Sequence, residues 1–218
     1  MPAPNLDPRH IRSHWQHAES GAHYAGSRWR NARAASRDPN RVARALARHA
    51  PNLGGQLVLD APSGAGRLRE AIEARGGRYV GLDASPFMLA EGSGGEFVQG
   101  SAWALPFPSR TFGAVVCCRL LHHVADENSR AALIEELLRV SAGPVLLSFW
   151  DSTSWHAWRR RKGVRHARHS DSRTALHRGE LERLVRAAGA EPLEYFSSLR
   201  FISQQTFLIF GATPTGQG

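Results

Sequence analysis

Two aspartates, each closing an apolar run and each followed by small residues, are the first places where this chain could do chemistry. Asp60 ends Leu57-Val58-Leu59 and leads into Ala61, Pro62, Ser63, Gly64, Ala65 and Gly66, while Asp83 ends Tyr79-Val80-Gly81-Leu82 and leads into Ala84, Ser85 and Pro86. Gly64 and Gly66 let the backbone turn tightly and approach a ligand with no Cβ in the way. An acid at the end of the second strand of a doubly wound sheet is placed to accept hydrogen bonds from a ribose diol. The first turn lacks the G-x-G-x-x-G spacing that sets a helix N-terminus on a pyrophosphate. The pair therefore implies a ligand that has a ribose and no phosphate. A third group, His122 and His123 with Asp151 and His156 farther on, supplies candidate bases, since a histidine near its ordinary pKa could take a proton from a neutral hydroxyl. Packing, or a bond to backbone, is the competing account of His122.

The elements that must position these residues alternate in type. Residues 57–60 read as a buried strand. From Arg67 the apolar residues Leu68, Ala71 and Ile72 recur at helical spacing until Gly76-Gly77 supply a stop. Residues 78–83 give a second strand. Leu133, Ile134, Leu137 and Leu138 predict one buried face of a helix from about Asp126 to Ser141, followed by a strand over 144–150. A last helix over 179–188 ends at Gly189, and 193–201 with 205–210 predict a closing strand pair. Ahead of the first strand, residues 1–50 read as a mostly helical cap, with a helix starting at Asp38 or Asn40 and turning Val42, Ala45 and Leu46 inward. The Arg-rich stretch 151–178 follows the fifth strand and is expected over the ligand side of the sheet. The whole chain, 1–218, is thus expected to be one domain: a cap (1–50), a ligand-binding core (51–150), an Arg-rich insert (151–178), and a closing helix and strand pair (179–211).

Four ordered segments resemble the class I S-adenosylmethionine-dependent methyltransferases, in particular small enzymes like the ubiquinone/menaquinone C-methyltransferases. They are Val58-Leu-Asp-Ala-Pro-Ser-Gly-Ala-Gly66, Val80-Gly-Leu-Asp-Ala-Ser-Pro-Phe-Met-Leu89, Phe97-Val-Gln-Gly-Ser-Ala-Trp-Ala-Leu-Pro-Phe107 and Phe112-Gly-Ala-Val-Val-Cys-Cys-Arg-Leu-Leu-His-His-Val124. The resemblance covers about residues 57–150. It implies a Rossmann-like α/β three-layer sandwich with a mostly parallel seven-stranded sheet and an antiparallel final strand. It also implies S-adenosylmethionine as cofactor, with Asp60, Ala61, Pro62, Ser63, Gly64 and Gly66 facing the methionine part. Asp83 and Ala84 would meet the ribose, Ser85 and Met88 the adenine side, and Ser101, Ala102 and Trp103 the adenine edge. Arg119 joins this cofactor set, Tyr24 would close over the methionine end, and His122 is the candidate catalytic residue. Three residues depart from the family pattern: Pro62 replaces the usual first glycine of the turn, Ser101 a common Asp, and Gly113 the usual Asp after Phe112.

Composition narrows the setting. With 218 residues, 42% hydrophobic and 22% charged, the chain falls in the range of ordinary globular enzymes. No apolar stretch reaches the length needed to cross a bilayer, and the first residues lack the blocks of a signal peptide, so the cytoplasm is expected. Cys117 and Cys118 are the only cysteines. Adjacent on a strand, they would point to opposite faces, which argues against a disulfide or a two-thiolate site, and no metal is expected. The net charge of +9 comes almost wholly from arginine, since Lys162 is the only lysine. Arg28-Trp-Arg-Asn-Ala-Arg33 and Trp158-Arg-Arg-Arg-Lys-Gly-Val-Arg-His-Ala-Arg-His169 are its densest runs, either solvated faces or surfaces for an anionic acceptor or peripheral membrane contact. The expected acceptor is a small or lipid-like molecule. Two alternatives remain open: an RNA methyltransferase, disfavoured because no RNA-binding module or base-methylation motif is present, and a non-catalytic nucleoside-binding module on the same fold.

Overall fold

The computed structural model describes residues 37–154, 174–197 and 205–212. Tyr24, His156 and the arginine runs at 28–33 and 158–169 lie outside the described residues.

Alternation of apolar residues on buried strands builds the centre of the molecule. Strands β1 (Leu57–Asp60), β2 (Arg78–Asp83), β3 (Glu96–Gln99), β4 (Ala114–Cys117), β5 (Val145–Trp150), β6 (Ala190–Ser197) and β7 (Gln205–Ala212) form one sheet in the order β3-β2-β1-β4-β5-β7-β6. The first five pair in parallel, and β7 runs antiparallel to both β5 and β6. The order reverses between β1 and β4, so the crevice at their carboxyl ends is the point where such sheets accept ligands.

Helices cover both faces. Side chains of one parity (Leu59, Val115, Cys117, Val145, Leu147, Leu208) pack on one layer with Leu133, Ile134 and Leu137 of α4 (Glu127–Val140) and Leu181 and Val185 of α5 (Arg178–Ala187). Those of the other parity (Val58, Ala114, Val116, Leu146, Phe207, Ile209) pack with Val42, Ala45 and Leu46 of α1 (Arg37–His49) and Ile72 of α2 (Arg69–Glu73). Cys118 joins this second layer, so the adjacent thiols do face opposite ways. The short α3 (Pro86–Ala90) follows β2.

Local chemistry sets the ends of these elements. Asp126 caps α4 by accepting the Ser129 N–H at 2.7 Å, and Ser85 caps α3, where Pro86 begins the helix and the Met88 N–H reaches the hydroxyl at 3.3 Å, as helix starts require. The closing strands differ from the sequence reading. β6 begins at Ala190, three residues earlier than expected, because a register shift between Pro192 and Glu194 breaks the simple alternation and leaves Leu193 exposed. α2 is shorter than its apolar spacing suggested, since residues 64–68 are spent in the turn that leads into it.

Candidate functional site

At the carboxyl end of β1 the chain passes through Ala61 and a cis Pro62 into the small-residue turn. The Ala61 N–H continues the pairing to Val116 (2.9 Å), and the Ser63 N–H donates to the Leu82 carbonyl (2.8 Å), so the turn is stitched to β4 on one side and β2 on the other. Gly64 and Gly66 both adopt positive φ (56° and 78°), a conformation that favours glycine. A Cβ on Gly64 would stand 3.0 Å from the Met88 methyl.

Asp83 ties the two turns together. Its Oδ2 accepts the Gly64 N–H at 2.8 Å and its Oδ1 accepts the Ser85 N–H at 2.9 Å. Burial pushes this carboxyl above its ordinary range, and the backbone donors of Ser85 and Gly64 oppose that shift. Each oxygen has a second lone pair for an incoming hydroxyl. The orientation of this carboxyl is therefore already fixed by the backbone.

Asp60 is fully enclosed. The Tyr79 hydroxyl donates to Oδ2 at 3.1 Å, while Oδ1 is buried and has no hydrogen-bond partner within the described residues. Burial, opposed by the Tyr79 hydrogen bond and the positive charge of Arg67, raises this carboxyl to about 7. An orphaned buried acceptor beside a glycine turn is the kind of group that a bound cation or N–H donor satisfies.

Beyond β3, the Ser101 hydroxyl accepts the Trp103 N–H (3.3 Å), and Trp103 itself is anchored by its indole N–H on the Ser129 carbonyl (2.8 Å). Ala102 is buried beneath them. This loop is clamped to α4: Glu136 accepts the Leu105 N–H, and Arg139, paired with Glu136, donates to the Leu105 and Phe107 carbonyls. Gly113, the departure from the family's acid, has a close neighbour in place of a carboxyl. A Cβ there would lie 2.0 Å from Gln56 Oε1, and Gln56 is held by the Asn52 carbonyl.

At the ends of β4 and β5, His122 lies in a single 3-10 turn (Leu121–His123). Its ring is buried and stacked on Trp150, with centroids 4.8 Å apart and planes within 8°, and its carbonyl accepts the Thr174 N–H at 2.8 Å. Asp151 is committed to structure: Arg178 and the Thr153 N–H and hydroxyl take its two oxygens.

Sequence reasoning missed Asp38. In the first turn of α1, it is buried and accepts from Arg41 (3.3 Å), Arg67 (2.9 Å), Arg119 (2.8 Å) and the Gln205 amide (3.3 Å). Burial raises its carboxyl, but the guanidiniums of Arg119, Arg67 and Arg41 outweigh it and hold the group below the usual carboxylate range. Arg119 reaches this position from a left-handed backbone (φ 66°), its N–H taken by the Ser148 hydroxyl at 2.7 Å. The side chain assigned to the cofactor by resemblance thus pairs with the first turn of α1. Tyr79, buried in β2, was missed as well, since nothing in the buried run 79–82 distinguishes it.

Comparison with known proteins agrees with this geometry. Residues 59–143 match a family described as a methyltransferase domain. Demethylmenaquinone methyltransferase of Thermobifida fusca is 40% identical over 96 residues, covering 40% of this chain and 39% of that protein. A tRNA (carboxymethyluridine(34)-5-O)-methyltransferase of Arabidopsis thaliana is 30% identical over 109 residues, covering 44% of this chain and 24% of that protein. The chain therefore spans well under half the length of these curated relatives. Magnesium protoporphyrin IX methyltransferase of Synechocystis PCC 6803, crystallised with bound SAH, superposes with a TM-score of 0.74 at 19% identity over 95% of this chain and 100% of that one. That likeness is one of fold.

Proposed function

Because residues 59–143 match a methyltransferase domain, we propose that this chain transfers a methyl group from S-adenosylmethionine to a small-molecule or lipid-like acceptor. The observation that carries the reading is the joint placement of Asp83, which braces both turns through the Gly64 and Ser85 N–H groups, and Asp60, whose buried Oδ1 has no hydrogen-bond partner among the described residues. These are an acceptor for a ribose diol and an acceptor for an amino-acid ammonium, set on neighbouring strand ends.

S-Adenosylmethionine supplies a methyl group already carried on an excellent leaving group, a sulfonium. The chain's own task is then mostly positioning, which in favourable cases is worth effective molarities of roughly 10⁵–10⁸ M. Asp83 orients the ribose, Asp60 with the Gly64 turn holds the methionine end, and Met88, Ser85, Ser101 and Ala102 border the adenine. His122, at the junction of β4 and β5, is the group we assign as proton acceptor where the nucleophile is a neutral hydroxyl. Asp151 is not assigned this role, since its charge is paired with Arg178 and its Oδ1 already accepts both Thr153 donors.

A small-molecule acceptor is favoured by the demethylmenaquinone named for the Thermobifida fusca relative, which is 40% identical over 96 residues. The tRNA enzyme matches a similar share of this chain at 30% identity against 40%, so an RNA acceptor is the second, less favoured reading. Calorimetry with S-adenosylhomocysteine tests the cofactor reading. Asp83→Ala is expected to weaken binding by roughly 1.5–3 kcal/mol, the contribution of a hydrogen bond to a charged group. Equal affinity in parent and variant would show that Asp83 does not hold the ribose.

A further inference from the structure

Three glycines leave room for one aromatic ring beside Tyr79, which the turn itself does not require. A Cβ on Gly81 would come within 2.9 Å of the Tyr79 hydroxyl and 2.8 Å of the Phe97 ring, and one on Gly66 within 2.8 Å of the same ring and 3.5 Å of the same hydroxyl. A Cβ on Gly92 would also meet Phe97 at 2.8 Å. Phe97 fills the notch these residues leave and packs edge-on against Tyr79, with centroids 5.8 Å apart. The result is a tyrosine confined on every side, 4% exposed, whose hydroxyl meets Asp60 Oδ2.

We infer that Tyr79 is a positioning residue for cation recognition: by donating to Asp60 Oδ2 it fixes the carboxyl in one orientation and reserves the buried Oδ1 as the acceptor for the ligand's ammonium group. A carboxyl held by one oxygen cannot rotate to present either at will, so the ammonium finds a preformed partner. This rests on the proposed cofactor, whose methionine end carries that ammonium. The charged and titratable groups facing Asp60 are Tyr79 and Asp83 from β2, Arg67 from the turn after β1, and Cys117 and Cys118 from the end of β4. Among them the Tyr79 hydrogen bond and Arg67 favour the ionised carboxyl, against a burial that still leaves it raised to about 7. Ammonium binding requires the ionised form, so it carries a proton release that grows as pH falls below that value.

The test is calorimetry on the full chain and its Tyr79→Phe variant, with two ligands: S-adenosylhomocysteine and its analogue lacking the α-amino group. Tyr79→Phe keeps the ring and its packing on Phe97. It is expected to weaken S-adenosylhomocysteine by about tenfold, the effect of one hydrogen bond to a charged group, and to leave the deaminated analogue unchanged. In the parent, affinity for S-adenosylhomocysteine should rise between about pH 6 and 8 while that for the analogue stays flat; in the variant the rise should move to higher pH, because the donor that favours the carboxylate is gone. Asp60→Asn should abolish the rise and the difference between the ligands. Equal losses for both ligands, or an unmoved pH profile, would overturn the role of Tyr79 and leave the cofactor reading standing. Failure of the parent to bind S-adenosylhomocysteine at all would overturn both.

Discussion

At the scale of single residues, position 113 shows how a neighbour can replace a functional group. The family that the sequence resembles usually has an acid there, and in this chain the Gln56 carboxamide stands where a side chain at 113 would begin. Gly113→Ala is expected to cost about 1–3 kcal/mol in denaturant unfolding, as overpacking of a tight site does. Gln56→Ala should recover part of that loss, since it removes the oxygen 2.0 Å from the added carbon but leaves the Gln56 Cβ at 3.0 Å. A Gly113→Ala protein as stable as the parent would show that Gln56 moves away freely. The acids Asp60 and Asp83 were legible from the sequence because each ends an apolar run before small residues. Gln56, in contrast, gave no sign of its role. Its contact with Gly113 is made by two loops 57 positions apart in the chain, and neither composition nor periodicity reports such a meeting.

Among the elements, helices were the most legible, because an apolar face repeating at 3.6 residues is a local signal. Val42, Ala45 and Leu46 on α1 and Leu133, Ile134 and Leu137 on α4 are buried, and the limits of these helices fall within a few residues of those read from the sequence. What fixes α1 in place was not legible. Asp38 gathers Arg67, Arg119 and Gln205 from positions 29, 81 and 167 residues away. Removing the carboxylate would strand several guanidiniums in a largely buried cluster, so Asp38→Ala is expected to destabilise the protein by about 3–5 kcal/mol. The pH dependence follows in sign: a carboxyl depressed in the folded state contributes its stability above the unfolded pKa of about 3.9 and loses it as pH falls through the lower folded value. Thermal unfolding followed from neutral pH to below pH 3 should therefore show a steep acid loss in the parent that is shallower in Asp38→Asn. Identical acid profiles would mean the cluster carries little of the stability.

For the molecule as a whole, topology was read correctly through resemblance and only partly through periodicity. The parallel strands of the core follow from their apolar runs, and the sheet is mixed because β7 inserts antiparallel between β5 and β6; nothing in residues 205–212 alone specifies that direction. The net charge of +9 also belongs to this scale. Binding to generic RNA, measured by fluorescence titration, should fall steeply as salt rises and show no preference among sequences, as phosphate attraction alone dictates. Salt-resistant, sequence-selective binding would instead support an RNA acceptor. Among the described residues no helix is long and apolar enough to cross a membrane. The bulge on β6 bears on how molecules meet one another. β6 is an outer strand of the sheet, and a bare outer strand offers its backbone to any other chain that can lie alongside. Here Pro192 contributes no N–H, the register slips at the next residue, and Glu191 and Glu194 put acid on either side. A second copy approaching along this border would find the ladder broken between Pro192 and Glu194, so the same irregularity that obscured the start of the strand in the sequence also discourages the sheet from growing past its own boundary.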